Sequence, residues 1–346
     1  HHTFSAKGLS CEVLLLCNRE QRGAILSTIT DGRAKLHPLG ILVETTQFAR
    51  IAAMRTYREL VFPVHTKGLV PAEPKQAAEM LMESDLLKLL SRYHKEDGAF
   101  YFRIECKSPM TLEERSAFSK KLSAELERLS GGRLCNSTTD YEVELRLIAN
   151  REGAFFPCLK LFTRKDKRFS YRKNAIAASI HPSTAALIAE LSAPYLKEHA
   201  QILDPFCGVG TMLIERAVRV PAGEMYATDI FGEAVEKGRE NASLAGVKIN
   251  FIHRDFFDFK HDYLFDEVIT NMPVRGKKTR EELDALYERF FQKLPAHLTK
   301  DAAIILYTNE IGFVKKQLRL HREFVLKQEY CMQKKNDFYL LIIGRK

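Results

Sequence analysis

Two stretches of this sequence carry residues whose types and spacing suit chemistry. The first, "ILDPFCGVGTMLIE", passes from an apolar run through a turn holding Gly208 and Gly210 into an amphipathic segment that starts near Thr211. Glycines there permit backbone torsions closed to other residues, and a new helix leaves its first N–H groups unpaired, so a ligand can approach the main chain. A dinucleotide fingerprint would need a third glycine where Leu213 stands, which argues against a nicotinamide or flavin. Asp229 closes the next apolar run, "YATDI", where a carboxylate can accept both hydroxyls of a ribose. The second stretch, "EVITNMPVRGKKTR" at 267–280, turns at Asn271-Met272-Pro273 and then becomes strongly basic.

Those residues need a frame. Short apolar runs at "QILDPF", "EMYATDI", "INFIHRDF", "EVITNMP" and "AAIILYT" read as buried strands. The amphipathic stretches "TMLIERAVR", "GEAVEKGRENASLAG" and "TREELDALYERFFQKLPAHL" lie between them as helices. Strands alternating with helices predict an α/β fold with a parallel sheet covered on both faces. The last two strands, "REFVLKQEYCM" and "DFYLLIIGR", are separated only by "QKKN", too short for a crossover, and must pair antiparallel.

A parallel sheet closed by an antiparallel hairpin resembles the class I methyltransferases that use S-adenosyl-L-methionine (SAM), a Rossmann-like fold. The string Asp204-Pro205-Phe206-Cys207-Gly208-Val209-Gly210-Thr211 resembles the first motif of members that modify nucleic-acid amino groups. The resemblance puts Asp204 at the methionine end of SAM, with Phe206, Gly208, Gly210 and Thr211 beside it. It further implies Asp229 and Ile230 at the ribose, Asp255 and Phe256 at the adenine, and Asn271 closing the cofactor site. Such enzymes carry Asn/Asp-Pro-Pro-aromatic where this chain has Asn271, Met272, Pro273 and Val274. An exocyclic base amine is a poor nucleophile because its lone pair is delocalised into the ring. The Asn271 amide oxygen and the Met272 carbonyl would accept its hydrogens, localise that lone pair and aim it. Pro273 would stiffen the loop, while Val274 offers an apolar wall without the π-face that stacks on an extruded base.

The first half reads differently. Residues 9–65 alternate strand and helix in "CEVLLLCN", "EQRGAILSTI", "GILVET" and "FARIAAMRTYREL". Next come a helical stretch "AEPKQAAEMLMESDLLKLLSRYH", a strand "AFYFRIECK", a helix "ERSAFSKKLSAELERLSG" and a hairpin in "DYEVELRLIANREGAFFPCLKLF" turning near Asn150–Gly153. These resemble an N-terminal ferredoxin-like domain (1–65) and a THUMP domain (66–163). A basic linker (164–180) and the methyltransferase domain (181–346) complete the pattern of THUMP-containing RNA guanine-N2 methyltransferases. That resemblance implies methylation of a guanine N2 in tRNA; ribosomal RNA, or an RNA- and SAM-binding protein with a degenerate catalytic loop, fits the same residues. Candidate RNA contacts are Arg164, Lys165, Lys167, Arg168, Arg172 and Lys173 in the linker, with Phe169 and Tyr171 interleaved for stacking. Arg275, Lys277, Lys278 and Arg280 form a second basic patch beside the catalytic loop. His181, before Pro182, is expected to cap or orient the next helix.

Charge placement supports a polyanionic partner. Residues 1–173 carry 29 lysines and arginines against 21 acids, whereas residues 174–346 carry 24 against 23. The 346-residue chain is long enough for two or three domains with full cores, and its 45% apolar content suits a soluble protein. No apolar run is long enough to span a bilayer. There is no secretory leader pattern, and the seven scattered cysteines form no CxxC pair. These features argue for a reducing cytoplasm and against a disulfide framework or a metal site. A monomer is the default expectation.

Overall fold

The computed structural model describes residues 1–176, 179–276 and 278–346. Lys277, named above as a phosphate contact, lies outside them. The chain forms two compact units. One holds His1–Cys17, Thr28–Met54 and Glu59–Asp166; the other holds Asn18–Ser27, Arg55–Arg58 and Lys167–Lys346.

In the first unit β1 (Cys11–Leu16), β2 (Arg33–His37), β3 (Gly40–Thr45), β4 (Glu59–Pro63), β5 (Phe100–Lys107), β6 (Leu134–Asn136), β7 (Val143–Ala149) and β8 (Phe155–Leu161) make one sheet. Its order is β2-β3-β1-β4-β8-β7-β5-β6. Strands from residues 1–65 and 66–163 are therefore continuous, joined where Phe62 of β4 faces Leu159 of β8. The helices of the chain up to this point are α1 (Arg22–Leu26), which clusters with the second unit, α2 (Phe48–Ala52), α3 (Pro74–Glu83), α4 (Leu86–Tyr93) and α5 (Leu112–Leu129). Thr111 starts α5 with a capping box to Glu114. The helix expected through "FARIAAMRTYREL" stops at Ala52, and Glu59–Pro63 is a strand. Leu60, Val61 and Phe62 are all buried, which three consecutive residues achieve in a strand covered on both faces. The exposed edge strand β2, "RAKLH", carries no apolar alternation to announce it.

The second unit is built on β9 (Ala200–Asp204), β10 (Ala222–Asp229), β11 (Asn250–His253), β12 (Phe265–Asn271), β13 (Leu298–Thr308), β14 (Phe324–Gln333) and β15 (Phe338–Arg345). The order β11-β10-β9-β12-β13-β15-β14 is parallel from β11 to β13, and β15 runs antiparallel to both β13 and β14. This is the Rossmann-like methyltransferase architecture with its closing hairpin, as expected. Among the described residues α6 (Pro182–Ser192) leads into β9, and α7 (Thr211–Arg219), α8 (Gly232–Ala245), α9 (Arg280–Lys293) and α10 (Ile311–Leu320) connect later strands. His181 caps α6, its Nδ1 accepting from the Ser183 N–H at 3.1 Å. No described helix is long and apolar enough to cross a membrane.

Helix α7 carries two consecutive buried charges. Arg216, with no exposed surface, donates to both Glu267 oxygens at 2.7 and 3.0 Å and so ties α7 to β12. Glu215 accepts from Arg55 Nε and Nη2 at 2.8 and 2.9 Å and from the Tyr171 hydroxyl at 2.7 Å. That second cluster explains why Arg55–Arg58 belongs to this unit. Removing one partner of a buried pair leaves an uncompensated charge, which costs roughly 3–5 kcal/mol.

Candidate active site

Chain order reverses between β9 and β12: β10 and β11 lie on one side of β9, and β12 and β13 on the other. Open α/β sheets bind ligands outside the carboxyl ends of their strands at such a point. A cavity of about 440 Å³ opens there, lined from the ends of four neighbouring strands by Asp204, Asp229, Asp255 and Asn271. Pockets of about 300–1,000 Å³ take nucleotide-sized ligands.

The glycine turn forms one wall. Gly210 caps α7 with φ 84°, and a side chain there would meet the Phe251 ring at 2.9 Å. Gly208, at φ 51°, has only Ile176 Cδ1, at 4.0 Å, on its side-chain face among the described residues. Its N–H donates to Asp229 Oδ2 at 3.0 Å, while Asp229 Oδ1 accepts from Phe231 N at 2.9 Å. One carboxylate thus holds both the turn and the start of α8, and it keeps further lone pairs for ribose hydroxyls. Asp204 is 1% exposed and accepts from Phe206 N at 3.1 Å and Thr270 Oγ1 at 2.5 Å, which links β9 to β12 across the switch point. Burial pushes its carboxyl up to about 7 against the pull of those two donors, and the nearby Asp229 charge adds to the rise. Asp255 caps the short turn Phe256–Asp258 through Phe257 N at 2.9 Å and also lines the cavity.

At the other wall Asn271 ends β12, followed by Met272, Pro273 and Val274, all lining the cavity. Met272 is 1% exposed and belongs to the core formed by Leu203, Phe256 and Leu283, and its N–H donates to Tyr307 O at 2.9 Å. Tyr287 and Thr308 stand behind Pro273, with the Tyr287 hydroxyl 3.4 Å from its carbonyl oxygen.

Phe206, Gly208, Thr211 and Ile230, named above as cofactor-site candidates, line the cavity, and Gly210 stands just behind as the helix cap. Phe256 does not line it. The short turn points Phe256 into the core beside Phe206 and Phe290, and Phe257 faces the cavity instead with Arg289 4.0 Å over its ring. Ser179 and Ile180, in the segment before His181 that the resemblance sets beside the pocket, line it, whereas Ile176 of the linker and Leu286 and Arg289 of α9, which also line it, carried no mark in the sequence.

The basic residues separate into groups. Arg168 donates to the carbonyls of Tyr57 and Arg58 at 2.9 and 3.1 Å and stacks on Tyr57, and Arg172 donates to Ile180 O at 3.1 Å. Both hold the backbone together. Arg275 pairs with Glu310 at 2.6 Å and approaches Asp337 at 3.6 Å, so its charge is already compensated. Lys165, Lys167, Lys173 and Lys278 are exposed, Arg164 is half-buried, and Lys278 lies at the cavity.

Residues 170–337 match the UPF0020 family, described as an RMKL-like methyltransferase domain. This stretch, just under half of the chain, is similar to a methyltransferase domain. A curated relative, the tRNA (guanine(10)-N2)-dimethyltransferase of Methanothermobacter thermautotrophicus, is 26% identical over 158 residues, 45% of this chain and 45% of that protein. The chain therefore spans under half the length of this relative. Among solved structures, TrmN from Thermus thermophilus is 20% identical with a TM-score of 0.67, covering 97% of this chain and 99% of its own. SMU.472, solved in complex with SAH, is 13% identical with a TM-score of 0.70, covering 96% and 97%. At these identities the likeness is one of fold.

The cofactor that the sequence leads one to expect is SAM, and the residues present fit it. Thr211 Oγ1 is buried at the start of α7, lines the cavity and has no partner among the described residues, a donor and acceptor left for a ligand. Asp204, Asp229 and Asp255 face the same space as the open side of Gly208, an acidic lining suited to an ammonium, a ribose and an amino group. Among the described residues no group of His, Cys, Asp and Glu is placed to hold a metal ion.

Proposed function

We propose that this protein is a SAM-dependent RNA methyltransferase acting on the exocyclic N2 of a guanine in tRNA. One observation carries the reading: the glycine turn with its acids and the Asn271–Val274 loop line a single cavity, so cofactor and acceptor meet at the C-terminal ends of adjacent strands. SAM supplies an electrophilic methyl group. The chain's own task is then to hold and orient a weakly nucleophilic amine. Asn271 and the Met272 carbonyl accept its hydrogens, and Val274 supplies an apolar wall for the base. No strong base is needed until the methylated amine sheds its proton.

The tRNA target is supported by the relative of 26% identity whose name states that substrate and by the basic excess of residues 1–173. We read residues 1–65 as ferredoxin-like, 66–163 as THUMP-like and RNA-binding, 164–180 as a basic linker, and 181–346 as catalytic. The cysteines are free thiols, which supports a cytoplasmic location.

The test is incubation with labelled SAM and separate pools of unmodified tRNA and ribosomal RNA, followed by digestion to nucleosides. N2-methylguanosine from tRNA alone is the expected product. Label in ribosomal RNA would move the substrate, and SAM binding without transfer to either pool would overturn the activity.

A further inference from the structure

The catalytic loop lacks the first proline and the final aromatic that its resemblance leads one to expect, and Pro273 by itself fixes a single backbone torsion. Acceptor groups that act by orientation need more restraint than that. A misplacement of about 1 Å is enough to cost on the order of 100-fold in rate.

The restraint comes from behind the loop. Met272 is anchored by its buried side chain and by its N–H on Tyr307 O. Pro273 is met by Tyr287 of α9, which has no exposed surface. Tyr287 Oη is also 2.6 Å from Thr308 Oγ1, and Thr308 Oγ1 accepts from the Glu310 N–H at 2.9 Å. Each hydroxyl has one proton. If Tyr287 donated to Thr308, nothing would remain for the Pro273 carbonyl. Either hydroxyl can be the donor in the 2.6 Å pair; the arrangement in which Thr308 donates to Tyr287 leaves the Tyr287 proton for the Pro273 carbonyl, and it is the one the proposal takes. Burial, reinforced by the Glu310 charge, holds the phenol well above its ordinary range, so it stays a donor at neutral pH. The 3.4 Å link is long for a hydrogen bond, as catalytic contacts often are before a substrate closes the site.

We propose that Tyr287, oriented by Thr308, is a positioning residue for methyl transfer, holding the Pro273 carbonyl and with it the Asn271–Val274 loop. The buried hydroxyl relay restores the rigidity that Met272 gives up as a replacement for proline. This rests on the function proposed above.

Tyr287→Phe removes the hydroxyl and keeps the ring packed on Phe313. The expected result is a fall in kcat of roughly five- to tenfold, the size of one net hydrogen bond, with the KM for SAM unchanged. Amide hydrogen exchange at Met272 and Val274 should accelerate at the same time. Thr308→Val should act in the same direction, and the double variant should lose little more than either single one, because both break one chain. Unchanged exchange in both variants would overturn the proposal, as would faster exchange with an unaltered kcat. Parallel losses of kcat, SAM affinity and melting temperature that add in the double variant would reduce Tyr287 to packing, again against it. The exchange readout needs no turnover. A wild-type protein inactive on every RNA would sink the proposed function, while exchange would still decide whether Tyr287 holds the loop.

Discussion

The two walls of the cavity are held in different ways. On the cofactor side each of the three acids binds the N–H two residues on, and Asp229 and Asp204 add Gly208 and Thr270 on the adjoining strand ends. On the acceptor side the restraints reach across the fold, from Met272 to Tyr307, from Pro273 to Tyr287, and from Arg275 to Glu310. The cofactor wall is thus braced by its own turns and by the neighbouring strand ends of β10 and β12, whereas the acceptor wall depends on α9 and β13. If the two are separate devices, they should fail separately. Asn271→Ala is expected to lower kcat by about 10²–10³, as loss of a preorganised polar group does, with SAM affinity nearly intact. Asp229→Ala should instead weaken SAM binding by roughly 10- to 100-fold, since two charge-assisted hydrogen bonds go with it. Calorimetry with SAM beside steady-state kinetics reads both. A variant that lost both quantities equally would show one cooperative site in place of two walls.

Asp204 sharpens the comparison at a smaller scale. Its carboxyl titrates at about 7 because burial outweighs its two hydrogen bonds. Below that pH the group is neutral in the ligand-free protein, and above it is a carboxylate. The cationic methionine end of SAM favours the carboxylate, so SAM affinity should rise as pH increases through about 7 and then level off, with a proton released on binding below that point. Without SAM the sign reverses. A carboxyl whose folded pKa exceeds its unfolded one weakens folding as pH climbs from the ordinary carboxylate range to about 7. Asp204→Asn should flatten the affinity profile between pH 6 and 8. A flat profile in the wild type would detach Asp204 from the cofactor's charge.

This division also explains what could be read from the sequence. The glycine turn, Asp229, the strand rhythm and the closing hairpin were legible because each is encoded within a few residues of itself. Phe256 and Phe257 were not distinguishable, since a three-residue turn decides which ring faces the cavity and both are phenylalanine. Tyr287, Thr308 and Glu215 were invisible for another reason: their partners lie 14, 21 and 44 residues away or more, and a lone Tyr or Glu on an amphipathic helix has no local mark of such a role. The helix misread beyond Ala52 belongs with them. Arg55 leaves the helical path to reach Glu215, a partner 160 residues away in the chain.

The smallest effects concern the linker, where a run of like charges conceals the same contrast between local display and long-range structure. Arg168 and Arg172 donate to backbone carbonyls, whereas Lys165, Lys167 and Lys173 end in solvent. Reversing the three lysines to glutamate should weaken tRNA binding and make its salt dependence shallower, by a slope of up to about 0.9 for each duplex phosphate that is no longer neutralised. Thermal stability should hardly change, because exposed charges away from packed features seldom move it by more than about 0.5 kcal/mol. Arg168→Ala should do the opposite. It strips a guanidinium from two carbonyls and from the Tyr57 ring, so melting should fall while the salt slope of RNA binding persists. Were the lysine reversals to leave the salt slope untouched, the phosphate path would not cross the linker, and the basic excess of residues 1–173 would have to act from elsewhere in that half.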